Sequence, residues 1–303
     1  LSISPRLSLA VLGMLLAIGC VPPERTPPVT PAALPDAKPA GKFAFRGTMT
    51  QGALLLGVAP PGTVSITLDG TPVDIASDGH FLIGFGRDAA PSSVVEAVLR
   101  DGRRVREELL IAPRQWDIQS LPTLPKGTTP TPEFLARRKI ELERIAAARA
   151  VRSDSTGWEE RFVWPVSGRI SGVFGSQRIY AGEPGTPHGG VDIARPAGTP
   201  VAAPADGVVI LAAESPFTLE GNLLMIDHGM GLNSAFLHLS RIDVHVGDHV
   251  RRGQQVGAIG MTGRATGPHL HWGMMWKGVR IDPQLLAGPM PATADQAGAS
   301  AGD

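Results

Sequence analysis

Cysteine is all but absent from this 303-residue chain: Cys20 stands alone, so no disulfide closes within it. Neither charge is in surplus, since Lys plus Arg and Asp plus Glu both number 28. That balance gives no support to nucleic-acid binding, which shows as a basic excess. Aromatic residues make up only 5%, with a single tyrosine. The apolar run Leu7 to Ile18 is too short for an ordinary membrane span. Gly (37) and Pro (28) are abundant instead, which fits many turns and short strands better than long helices. At 43% hydrophobic and 18% charged, the chain reads as globular and long enough for two domains with their own cores.

The short apolar run follows Arg6 and ends in Ala17-Ile18-Gly19-Cys20, the layout of a secretory signal. The ending resembles a bacterial lipobox, in which the cysteine is acylated and becomes the mature N-terminus. Residues 1–20 are therefore expected to be a lipoprotein signal peptide, with an n-region that is incomplete or initiated at an unusual codon. Residues 21–41, rich in Pro and Ala, form a tether. More than one acyl chain would give a firm membrane anchor, since one alone binds marginally. Val21 is not the aspartate associated with inner-membrane retention, so the expected location is the periplasmic side of the envelope, with the outer membrane favoured.

Residues 42–118 read as short strands: Val64–Leu68, Val73–Ile75, His80–Phe85, Val94–Leu99 and Val105–Ile111. Alternation punctuated by Asp69-Gly70 and Asp101-Gly102 signals hairpins. A small immunoglobulin-like β-sandwich is expected, a spacer or docking module without chemistry of its own. Residues 119–157 form a linker with a helix at about 132–152. Thr131-Pro132-Glu133 supplies an N-cap, a proline at N1 and an acid in the first turn. Leu135, Leu142 and Ile145 recur at helical spacing, and Arg137-Arg138-Lys139 reads as a solvated face. Residues 158–288 return to strands, with Val208–Ala212, Leu223–Asp227, Asn233–Leu239, Val256–Gly260 and Leu270–Trp276 as candidates. The fold class is all-β, with an antiparallel C-terminal domain. Residues 289–303 read as a disordered tail.

Two strings carry the chemistry: His188-Gly-Gly-Val-Asp192 and His269-Leu-His271. Together they offer three donors suited to Zn²⁺ and one spare histidine. A catalytic zinc takes three protein ligands and keeps a fourth position for water, whose pKa falls from about 15.7 to about 7. That points to hydrolysis. Either string alone occurs readily by chance, so context decides. His269 and His271 lie two apart in a strand-like run, which puts both rings on one face and sends Leu270 and Trp272 into a core. Asp192 sits beside an apolar stretch, an expensive place for a carboxylate unless paired or on a metal. His245-Val-Gly-Asp-His249 is a decoy, read as a turn with exposed rings. His228 and His80 read as turn residues. His238 ends a strand on a face shared with Phe236 and Ser240.

These residues resemble the lysostaphin-type, or LytM-like, zinc metallopeptidases, the cell-wall endopeptidases of bacteria. The resemblance runs from about Trp164 to Leu286, through Trp164–Gly175, Pro187–Ile193, Gly198–Val208, His238-Leu-Ser240, Gly253–Gly260, Thr262–Trp272 and Asp282-Pro283. It implies that His188, Asp192 and His271 hold Zn²⁺ and that His238 and His269 are the catalytic pair. It also implies a peptidoglycan peptide substrate, cut at its cross-links by a metal-activated water. Phe236 stands where the family often has Tyr, and Gly273 where it often has an acid; neither position is a ligand. Tyr180, near the first motif, is a candidate donor to the oxyanion, weighed against a rim role. No nucleic-acid partner is expected. A membrane partner is expected through the lipid anchor and a cell-envelope protein partner through the N-terminal β domain, with the chain a monomer. The competing readings are a non-catalytic regulator of another wall hydrolase and a zinc peptidase acting on exported proteins.

Overall fold

The computed structural model describes residues 41–127 and 129–291. Cys20, the signal at 1–20, and the tether and tail apart from residues 41 and 289–291 lie outside them. The chain opens with β1 (Ala44–Arg46), β2 (Leu54–Val58), β3 (Thr63–Leu68), β4 (Thr71–Val73), β5 (His80–Gly84), β6 (Ser92–Leu99) and β7 (Arg104–Leu110). These form two sheets, ordered β1-β2-β5 and β4-β3-β6-β7. Period-2 patterning drives them: along β6, Ser93, Val95, Ala97 and Leu99 are buried while the residues between stay partly exposed. At the β3–β4 hairpin Asp69 and Gly70 take φ of 47° and 81°, the two positive values that a type I′ turn needs.

β8 (Ile118–Leu121) then leaves these sheets, and α1 (Pro132–Ala150) follows. The boundary drawn at 118/119 falls inside β8. After a 3₁₀ turn at Gly157–Glu159 come β9 (Arg169–Gly172), β10 (Gln177–Tyr180), β11 (Glu183–Pro184), β12 (Gly190–Ala194), β13 (Pro200–Ala202), β14 (Gly207–Ala212), β15 (Asn222–Asp227), β16 (Leu232–Leu239), β17 (Arg241–Ile242), β18 (His249–Val250), β19 (Gln255–Ala258), β20 (His269–Trp276) and β21 (Val279–Ile281). The central sheet runs β18-β14-β15-β16-β20-β12-β9, with β21 beside β20, all antiparallel. β8 pairs in parallel with β10, so part of the segment read as linker belongs to a sheet of the C-terminal half. A short α2 (Pro283–Ala287) closes the fold. Asp282 caps it by accepting from Gln284 N, and Pro283 opens it, a start signal the sequence reading passed over. Among the described residues no helix is long and apolar enough to cross a membrane.

α1 starts as expected, with Thr131 Oγ1 accepting from Phe134 N at 3.2 Å. Its packing face differs from the expected stripe. Leu135 and Leu142 are exposed, while Arg138, Glu141, Ile145 and Ala148 turn toward the sheet. Glu141 is buried because its carboxylate is saturated: it accepts from Thr218 N, Thr218 Oγ1, Arg137 and Arg138. Arg138 is likewise not part of a solvated face, since its guanidinium grips Glu220 with two 2.6 Å bonds.

One buried polar chain ties the core together. Trp272 Nε1 donates to Ser234 Oγ, Ser234 Oγ donates to His228 Nε2, and His228 Nδ1 donates to the Asp206 carbonyl. His228 is thus no exposed turn residue. It follows β15 as a loop position would, but its ring is fully buried edge-on to Phe162. Burial pushes its pKa down to about 4, below an unfolded value of about 6.5. Between those values the unfolded chain binds more protons, so stability is full above about pH 6.5 and drains away as the pH falls toward 4. The loss should reach on the order of 3 kcal/mol. Urea midpoints of wild type and His228→Gln measured from pH 7.5 to 4.5 should converge on acidification; parallel curves would refute this account.

Candidate metal centre

β12 lies against β20 with Asp192 directly across from His271, and β16 lies on the other side of β20 with Leu237 across from His271. Alternation along β20 puts His269, His271 and Gly273 on one face of the sheet. Leu270, Trp272 and Met274 take the other face, where all three are buried in the main core. His188 comes from the loop before β12. That loop is pinned by His188 N to Ser176 O at 2.8 Å and by Gly175 N to His188 O at 2.9 Å.

Three donor atoms converge. His188 Nε2 is 3.1 Å from Asp192 Oδ1 and 3.0 Å from His271 Nδ1, and His271 Nδ1 is 2.8 Å from Asp192 Oδ1. Tetrahedral ligands bound at about 2.0–2.1 Å would sit about 3.3 Å apart, so the three need to open only slightly around one ion. The orientation of His188 is set from behind, because Nδ1–H donates to Val173 O at 3.1 Å and leaves Nε2 facing inward. Burial works to raise the Asp192 pKa, but hydrogen bonds from His188 and His271 outweigh it and hold the carboxyl far below the usual range. Burial lowers His271. At His188 burial also opposes protonation, yet the hydrogen bond and charge of Asp192 raise its pKa. The set fits a divalent cation: a carboxylate and two imidazole nitrogens aimed at one point.

His269 and His238 stand beside this triad. His269 Nε2 is 3.9 Å from Asp192 Oδ1. The two rings have centroids 4.8 Å apart, and His238 lies 6.4 Å from His271. Each donates Nδ1–H to a backbone carbonyl at 2.8 Å, Gly267 O for His269 and Thr262 O for His238, which leaves both Nε2 atoms free to exchange protons. Burial pushes His238 down to about 4. The expectation that His238 shares a face with Phe236 is corrected here. Phe236 is fully buried in the core, whereas His238 takes φ of 64° and turns its ring toward the histidines. Its N donates to Glu220 O at 2.8 Å and fixes that turn.

Tyr180 lies on β10 between β8 and β11, with its ring beside Gly185. Among the described contacts it makes none with the five site residues. His245 and His249 are exposed, as read. His80 starts β5 and pairs with Asp78.

Several contributors had no signal in the sequence. The carbonyls of Val173, Gly267 and Thr262 orient three of the four imidazoles, and any residue can supply a carbonyl. Gly190 is different: a Cβ there would meet Trp272 O at 2.4 Å and His271 Nε2 at 2.8 Å, so only glycine lets β12 approach β20 this closely. α1 covers the sheet face that carries the site. Ile145 packs with Ala235, Met225 and Leu223, and thereby makes a wall of the groove beside His271.

The left-handed backbone at His238 stores strain of about 1–3 kcal/mol, which a glycine would relieve. His238→Gly should therefore melt at or above His238→Ala, and both should keep the bound metal. A glycine variant clearly less stable than the alanine one would show that the turn is unstrained.

Comparison with known proteins agrees with this geometry. Residues 186–283 match the model of peptidase family M23. The peptidoglycan DD-endopeptidase ShyA of Vibrio cholerae is 40% identical over 126 residues, 41% of this chain and 29% of ShyA. The DD-carboxypeptidase/endopeptidase Mpg of Neisseria meningitidis is 39% identical over 123 residues, 41% of this chain and 28% of Mpg. The alignments thus span less than a third of these curated relatives. A solved structure from Pseudomonas aeruginosa assigned to peptidase M23 superposes with a TM-score of 0.59 at 29% identity, covering 79% of this chain and 95% of that one. Residues 186–283, which hold His188, Asp192 and His271, are thus a peptidase M23 domain.

Proposed function

We propose that this protein is a zinc-dependent endopeptidase that hydrolyses peptide cross-links of bacterial peptidoglycan. The convergence of His188, Asp192 and His271 on one point, with His269 and His238 alongside, carries the reading. The names of ShyA and Mpg support a wall peptide as the target. A zinc ion held by the three ligands would acidify a water and polarise the scissile carbonyl. His269 is the better placed of the pair to take the water's proton, being nearer the ligand carboxylate. His269, protonated by that transfer, would return the proton to the leaving amine, and His238, kept neutral by burial with its N–H on Thr262 O, would hold the attacking water by accepting at Nε2. Tyr180 is assigned to the rim. The intact set of five side chains argues against a purely regulatory role.

Mass spectrometry of sacculi incubated with wild type and His269→Ala should show cross-links opened by the first and at least ~10²-fold less product from the second. A protein substrate digested in parallel tests the alternative target. Wild-type protein that carries zinc and opens no cross-link would end the wall assignment.

We further propose that Cys20 bears the lipid anchor, that residues 21–41 lift the protein from an outer-membrane surface, and that the N-terminal sheets are an immunoglobulin-like docking module. Cys20→Ser should move the expressed protein from the membrane fraction to the soluble fraction and abolish fatty-acid labelling; unchanged fractionation would refute the anchor.

A further inference from the structure

A cavity of about 150 Å³ opens beside His271, between α1 and the site face of the sheet. Two arginines reach it from opposite sides, Arg149 from the last turn of α1 and Arg280 from β21. Neither guanidinium has a hydrogen bond or ion pair with any described residue, and Arg149 Nε is buried without a partner. The acid that lines the same cavity, Glu220, is already spent on the two-pronged bond to Arg138. Arg280 also lies along Gly189, where a Cβ would sit 2.4 Å from its Nη1, and it borders a second cavity that includes His188. A half-buried cation, Arg149, and an exposed one, Arg280, facing one space repel each other, and an anion between them would offset that cost. The remaining lining is mostly apolar, with Ala235, Leu237 and Met275 prominent.

We infer that Arg149 and Arg280 form a carboxylate-binding subsite next to the metal centre, which selects peptides bearing a free carboxylate on a short aliphatic stem over neutral ones. The subsite rests on the peptidase reading and deepens it to an acidic peptide substrate. A planar carboxylate suits the guanidinium fork, and its stem suits the apolar wall. Both arginines act on binding and touch no reacting atom.

The test uses the chain as purified and a probe N-methylated at both internal peptide bonds to resist cleavage, acetyl-Ala-(N-methyl-Ala)-(N-methyl-Glu) amide, against its Gln counterpart, each in L and D form at the last residue. Calorimetry should show one of the acids bound about tenfold tighter than its amide. Arg149→Gln and Arg280→Gln should each shrink that ratio, the double variant should remove it, and Arg280→Lys should keep part of it. A purely structural role would change acid and amide affinity together. Equal binding of acid and amide, or binding of neither, overturns the subsite. Failure of the peptidase reading would appear separately, as metal-loaded protein that prefers the acid yet cleaves no peptide.

Discussion

The register of β12 against β20 sets Asp192 across from His271 and Gly190 across from Gly273. Because side chains alternate, a slip of one residue would send Asp192 into the core and His271 away from the carboxylate. The opposite face makes such a slip costly. Val191 and Ile193 on β12, and Leu270, Trp272 and Met274 on β20, are all essentially excluded from water. Trp164 packs edge-on against Trp272 and caps that layer. Burying a large apolar side chain contributes about 1.5–3 kcal/mol. The same register that buries these residues therefore sets Asp192 beside His271 in the candidate metal centre, and the energy that fixes it comes from groups on the opposite face.

Polar contacts link the helix to His238. Glu141 anchors α1 to Thr218, and Arg138 anchors it to Glu220. The carbonyl of Glu220 receives the His238 amide, which holds that residue in its left-handed turn. Burying an acid is unfavourable in isolation. Here the hydrogen bonds to Glu141 outweigh its burial, and its pKa is lowered, not raised. The segment that joins the two halves of the chain thus shapes the groove and steadies one of its histidines.

Much of this was legible in sequence, for a definite reason. The strands of the C-terminal half, the N-cap of α1 and the shared face of His269 and His271 depend on local periodicity or local turn chemistry, which one window of sequence contains. What escaped notice depends on distant partners. Leu135 and Leu142 look like a helix seam, yet the seam is built on Glu141 because Thr218 and Arg138 meet it there. His228 looks like a turn residue until Ser234 and Asp206 close around it. His238 breaks strand alternation through a single positive φ, which no side-chain pattern announces.

The N-terminal sheets are more than a free spacer. Arg114 bridges to Asp282, the residue that caps α2, at 2.8 Å. Trp116 packs edge-on to Phe174 under the guanidiniums of Arg87 and Arg114. Arg87 Nε donates to Gly175 O, and Gly175 must be glycine, since its φ is 81° and a Cβ would strike the Trp116 ring at 2.2 Å. This grip falls on the 173–176 turn, which also supplies the Val173 carbonyl to His188 Nδ1 and the Ser176 carbonyl to His188 N. A ligating imidazole is only as well aimed as the group behind it. The N-terminal half therefore clamps the turn that aims His188, a candidate metal ligand.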